Sequence, residues 1–230
     1  MDNRVEGLHH LAISTADIKS QIDFFSTKLG MELVALYWMH GAKETCHGFM
    51  RMNDESSVAF VQSPRVSNAP PRLGETHAGN PTAASAAGTT QHIALKVRDM
   101  DELLHMQKRL RANGVPVLGP VDHGFCTSIY FAGPEGLSLE LSFSTAPIEP
   151  TRWIDPEVVA LAGIDEAELV RYRAPARFDP ADAPTMRPGP EAPGPHMSNY
   201  PPGVYEKLIA LPDQAIWDAS ENEPPVKDPV

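Results

Sequence analysis

HLAISTADI at residues 10–18 and HIALKVRDM at residues 92–100 decide the fold, because one strand opening is written twice at an offset of 82. His10 and His92, Ala12 and Ala94, and Asp17 and Asp99 fall in register. An amphipathic helix follows each Asp, SQIDFFSTKLG in the first copy and DELLHMQKRLRANG in the second. Each is closed by a glycine, Gly30 and Gly114, the residue suited to the left-handed position that ends a helix. Apolar runs come next, MELVALYW and VPVLGPV, and each copy then holds two more strand-like runs, CHGFMRM with SVAFVQ and CTSIYFA with LSLELSF. The repeating unit is therefore strand, helix, strand, strand, strand. One such unit cannot cover both faces of its own sheet, so two copies are expected to pack together. The modules span about 5–64 and 90–146 of a domain at 1–146, and the long Pro-, Gly-, Ala- and Ser-rich link between them is of the kind that borders a site.

Two imidazoles and a carboxylate stand at matching places in this repeat. His10, Ala12 and Ser14 share one strand face, as do His92, Ala94 and Lys96, and as do Ser138, Glu140 and Ser142. Leu137, Leu139 and Leu141 supply the helix-packed face, which leaves Glu140 pointing to the other side of its sheet, where a carboxylate requires a partner. His10, His92 and Glu140 make up a two-histidine, one-carboxylate set, the type that holds Fe(II) on one face and leaves positions open for substrate and O2. A gapless alignment of Cys46 with Cys126 puts Phe60 opposite Glu140, with Gln62 on the same face two residues on, so only the Gln62 amide could add a fourth ligand. His9 points away from His10 along the strand and reads as structural. His40 and His47 flank the third strand at the pocket mouth or in exposed loops. Cys46 and Cys126 read as small core residues.

The stretches GLHHLAISTADIKSQIDFFSTKLGMELV, QHIALKV and GPVDHGFCTSIYFAGPEGLSLELS resemble the vicinal oxygen chelate superfamily of glyoxalase I, bleomycin-resistance proteins, methylmalonyl-CoA epimerases and type I extradiol dioxygenases, over residues 5–145. The resemblance implies an α+β fold of two tandem βαβββ modules forming a metal-binding cavity. It carries the metal ligands onto His10, His92 and Glu140, and the place of the fourth ligand of glyoxalase I onto Phe60 or Gln62. Its absence suits a ring-cleaving dioxygenase, where a catecholate takes two positions and O2 a third. Within DHGFCTSIYF, Tyr130 stands ten residues before Glu140, as in extradiol dioxygenases, and shares its face if a tight turn at GPEG joins the strands. Tyr130 and His123 are the catalytic candidates, Tyr130 bonding a substrate oxygen and His123 acting as acid or base. The expected activity is a non-haem Fe(II)-dependent extradiol-type dioxygenase acting on a catechol-like aromatic diol and O2. The alternatives are a glyoxalase- or epimerase-like lyase or isomerase using Zn, Mn, Ni or Co, and a metal-free small-molecule binding or resistance protein. Relatives with one module pair often dimerise, so a homodimer is expected.

Composition narrows the partners. With 19 Lys and Arg against 30 Asp and Glu, the formal net charge of −11 disfavours nucleic acid and anionic membrane surfaces. No stretch approaches the roughly 20 apolar residues of a membrane helix, and MDNRVEG does not read as a signal peptide. Two cysteines build no disulfide framework, and the expectation is a soluble, cytoplasmic protein. Of the 23 prolines, seven lie in residues 1–146 and sixteen in 147–230. Residues 147–230 are therefore expected to be a proline-rich, largely irregular C-terminal arm, with apolar anchors such as Trp153 and Trp217 and short helices at DPEVVALAG and IDEAELVRY. Such an arm would pack across its own domain or a dimer mate.

Overall fold

A computed structural model describes residues 5–179, 181 and 186–227. The chain divides into two compact units, Glu6–Val158 and a second taken up from Val159 onward.

The first unit is the duplicated module. Strand β1 (His10–Ser14) leads into helix α1 (Ile18–Asp23), a π-helical turn over Phe24–Lys28, and strands β2 (Glu32–Trp38), β3 (Cys46–Asn53) and β4 (Ser56–Gln62). After a short helix α2 (Pro64–Ser67), the second copy runs β5 (Ile93–Lys96), α3 (Met100–Ala112), β6 (Leu118–Asp122), β7 (Thr127–Ala132) and β8 (Ser138–Phe143). Each copy forms a mixed four-stranded sheet, β1-β4-β3-β2 and β5-β8-β7-β6, in which the first strand pairs in parallel with the last. The repeated aspartates are the helix N-caps: the Asp17 side chain accepts from the Ser20 N–H, and that of Asp99 from the Glu102 N–H.

One core serves both copies. Phe25, Met50 and Phe60 of the first module are buried with Leu103, Leu110, Ile129, Leu139 and Leu141 of the second, each such side chain contributing about 1.5–3 kcal/mol. Phe24 stacks on Phe131 across the junction at 6.5 Å. Arg109 on α3 donates to the Lys28 and Thr27 carbonyls that end the first helical segment, where unpaired carbonyls attract a cation. Gly30 follows with a φ of +79°, and a Cβ there would lie 2.8 Å from the Arg109 guanidinium. Gly30→Ala is therefore expected to cost about 1–2 kcal/mol of unfolding free energy in a urea titration.

The helices and the apolar faces of both sheets share that core, so the other face of each sheet looks outward. Ala12 and Ser14 on β1, and Ala94 and Lys96 on β5, are exposed. The link between modules is pinned: His77 Nε2 pairs with the Glu135 carbonyl, while the Glu135 carboxylate accepts from the Ala16 N–H and from Gln21 Nε2.

The proline-dense region holds helices α4 (Pro150–Trp153), α5 (Pro156–Leu161), α6 (Glu166–Arg173), α7 (Val204–Ala210) and α8 (Asp213–Asp218). Helix α6 opens on a reciprocal Asp165–Glu168 capping box. Among the described residues, none after Phe143 is buried. No helix among them is long and apolar enough to cross a membrane.

Candidate metal half-sites on two sheets

Alternation along β8 places the site. Leu139 and Leu141 enter the core, so Glu140 lies on the outward face, opposite Ala94 on β5 and Tyr130 on β7. His92, just ahead of β5, brings Nε2 to 3.2 Å from Glu140 Oε2, and Glu140 is 5% exposed. His92 Nδ1 meets the side-chain oxygen of Gln91. A proton on Nδ1 would donate to that oxygen and leave Nε2 of the neutral ring with a lone pair. The pair is an ion pair when the imidazole carries both protons, and when Nε2 is bare the lone pair and the carboxylate oxygen at 3.2 Å are two donors for one cation. The separation also matches adjacent donors of one metal ion, about 3 Å apart for bonds near 2.1 Å at right angles.

Tyr130 and His123 adjoin this pair. Burial, then the Glu140 charge, pushes the Tyr130 hydroxyl above its ordinary pKa, so it stays a protonated donor at neutral pH. His123 Nε2 lies 2.8 Å from that hydroxyl. The loop carrying His123 is tight: its N–H donates to the Cys126 carbonyl, and the Gly124 N–H donates to Asp122 Oδ1. Trp153 from α4 closes over the loop, edge to face with Phe125 at 4.9 Å. Gly124 has a φ of +83°, and a Cβ on it would meet the Trp153 ring at 2.9 Å. Gly124→Ala is expected to loosen the loop, raising amide hydrogen exchange at His123 and Phe125 by about tenfold or more while α3 stays protected.

The first module holds a separate histidine group. His10 Nδ1 lies 2.9 Å from His9 Nδ1, so the residue before each repeat histidine, His9 or Gln91, engages its Nδ1. His9 thus partners His10, contrary to the expectation that it points away. The His10 ring neighbours Phe49 at 5.5 Å and His47 at 6.3 Å. His47 is 6% exposed, with neither nitrogen hydrogen-bonded; burial, then the nearby His10, lowers its pKa.

Register corrects the expected fourth position. Ala12 pairs with Ala59 as Ala94 pairs with Glu140, so the counterpart of Glu140 is Ala59 rather than Phe60. Phe60 packs on Phe25 in the core, and the Gln62 side-chain oxygen accepts from the Ile18 N–H at the start of α1. Neither offers a ligand. Cys46 and Cys126 are free thiols.

The structure brings together His92, Glu140, Tyr130 and His123, and places His10 on the other sheet with His9, His47 and Phe49. Among the described residues no group of three His, Cys, Asp or Glu side chains is arranged to hold a metal ion. Sequence reading missed the roles of Gln91 and His9, although the repeated polar residue before each histidine was a visible signal. It also left Trp153 as a generic apolar anchor, since nothing local marks its contact with Phe125.

Residues 7–141 match the family model described as the Glyoxalase/Bleomycin resistance protein/Dioxygenase superfamily. The chain belongs to this superfamily. A curated relative, biphenyl-2,3-diol 1,2-dioxygenase 2 of Rhodococcus globerulus, is 28% identical over 149 residues, covering 64% of this chain and 68% of the relative. Solved structures of similar fold include a glyoxylase/bleomycin resistance protein/dioxygenase domain from Frankia sp. EAN1pec (12% identity, TM-score 0.48, covering 61% of this chain and 99% of that one). A glyoxalase family protein from Enterococcus faecalis is 22% identical with a TM-score of 0.45, covering 60% of this chain and 98% of that one. The matched superfamily region is the duplicated module; residues 142–230 lie outside it.

Proposed function

We propose that the protein is a metal-dependent dioxygenase of the extradiol type, opening the ring of a catechol-like aromatic diol with O2. The observation that carries this reading is the facing of His92 Nε2 and Glu140 Oε2 at 3.2 Å, two donors set for one cation beside a protonated phenol. The Rhodococcus relative, named for dioxygenation of an aromatic diol, supports the reaction class. His92 and Glu140 would hold Fe(II), with His10 as the third ligand; the same donors also suit Zn, Mn, Ni or Co. Bound there, the ion would supply Lewis acidity toward a diol hydroxyl and open positions for diol and O2.

The protein's own groups divide the remaining work. Glu140 and His92 fix where the diol oxygens sit. Tyr130, held protonated beside Glu140, donates a hydrogen bond to a substrate oxygen. His123, on the Tyr130 hydroxyl, is placed to take or return a proton, a role worth about 10²–10⁴ in rate.

The third ligand comes from a second copy of the chain. Within one chain His10 and the His92–Glu140 pair occupy outward faces of different sheets, with the shared core between the sheets. A two-fold dimer joins such half-sites, setting His10 of one protomer against His92 and Glu140 of its partner, and makes two equal sites. Trp38 on β2 and Leu118 on β6, each 70% exposed, offer apolar surface for that contact.

Metal analysis of anaerobically purified protein, followed by oxygen uptake with a panel of catechols, tests the reaction. About one iron per protomer, with catechol-dependent uptake and a coloured ring-opened product, is expected. Stoichiometric Zn or Ni without oxygen uptake would instead indicate lyase or isomerase chemistry at these donors.

A further inference from the structure

His47 is a buried titratable group that the proposed reaction leaves unused. It sits on β3 between Tyr37 of β2 and Val61 of β4, on the sheet face that carries His10. A neutral imidazole presents one donor and one acceptor, and buried polar atoms are ordinarily paired. Both His47 nitrogens are buried and unpaired, so the chain supplies the group and none of its partners. Its surroundings are flat and aromatic. The Phe49 ring lies 4.4 Å away and the Tyr37 ring 5.9 Å, and those two rings are nearly parallel, 10° apart in plane with centroids at 6.3 Å. Ring faces of this kind select a planar aromatic partner, and a neutral imidazole among them selects a hydroxyl. His40 reaches the same Tyr37 ring from the β2–β3 loop at 5.8 Å.

We propose that Tyr37, His47 and Phe49 form a hydroxy-aromatic binding subsite beside His10, with His47 hydrogen-bonding a phenolic hydroxyl and the two rings forming its walls. The inference deepens the dioxygenase reading and rests on it for the place of His10. The first module then contributes recognition of the ring, while the second contributes the carboxylate and the acid/base pair. Local conflict supports this assignment: burying an unsatisfied imidazole destabilises the free protein, and such conflicts concentrate at functional sites.

Anaerobic calorimetric titration with catechol, phenol and cyclohexane-1,2-diol, with and without added Fe(II), tests the subsite in wild type, His47→Leu and His47→Gln. Catechol can chelate a metal, whereas phenol leans on the subsite. Wild type is expected to bind catechol and phenol and to ignore the saturated diol. His47→Leu is expected to weaken both aromatics by about tenfold or more. It should melt about 2–4 °C higher, having lost its unpaired polar atoms. His47→Gln, which keeps a donor and an acceptor, should retain affinity within about threefold. Unchanged aromatic binding by both variants would overturn the subsite, whatever oxygen uptake shows. His47-dependent phenol binding without oxygen uptake from any catechol would keep the subsite and remove the dioxygenase reading. A wild type that binds neither aromatic removes both.

Discussion

Glu140→Leu is expected to lose Fe(II) affinity by more than about 100-fold, because partners one shell further out already cost 10–100-fold when removed. The substitution strips the carboxylate from a position 5% exposed, facing His92. Leucine is close in volume to glutamate and would lie between Ala94 and Tyr130 on that face. Removing a buried carboxylate also removes its desolvation cost, and the His92 side chain left behind is 37% exposed to water, so the melting temperature of the metal-free variant should equal or exceed that of wild type. That pairing of outcomes separates a lost ligand from a lost fold. Metal content by elemental analysis and a thermal melt are the two measurements. Full iron occupancy in a folded Glu140→Leu protein would remove Glu140 from the ligand set.

The second large effect is expected at the phenol–imidazole pair. Tyr130→Phe and His123→Ala should each lower turnover of a catechol by about 10²-fold or more while leaving iron content unchanged. The groups act through one contact, His123 Nε2 to the Tyr130 hydroxyl at 2.8 Å. Partners in a shared hydrogen bond are not additive, so the double variant should be little worse than the worse single one. A double variant whose losses multiply would mean that the two side chains act independently.

The repeat made most of the fold readable. Asp17 and Asp99 recur because both cap helices, and Gly30 and Gly114 recur because both close them with positive φ. The alternation of Leu137, Leu139 and Leu141 was enough to turn Glu140 away from the core. Two matters were out of reach. The offset between copies is 82 on the first strand but 81 on the last, from the pairing of Ala12 with Ala59 and Ala94 with Glu140. The gapless Cys46–Cys126 alignment uses an offset of 80, one residue short of that last-strand value, and a one-residue slip exchanges sheet faces, which is why Phe60 stood in sequence where Ala59 stands in space. The relation of His10 to Glu140 depends on how the two modules pack, a long-range outcome that no local pattern encodes. The two copies were expected to pack their sheets together or side by side, and the core they share holds Phe25 and Phe60 of one with Leu139 and Leu141 of the other. The contact of Trp153 with the His123 loop was hidden for the same reason, since an edge-to-face pair between α4 and a hairpin leaves no periodic trace.

Mixing two defective proteins tests the shared site most directly. His10→Ala and Glu140→Ala should each bind no iron tightly as homodimers. Unfolded together and refolded, or co-expressed, the two chains pair at random, and half of the dimers carry one of each. Each mixed dimer has one site with both lesions and one with His10, His92 and Glu140 all intact, so about a quarter of wild-type iron binding should return. A mixture as empty as its parents would place all three ligands within one chain and contradict the two-protomer site.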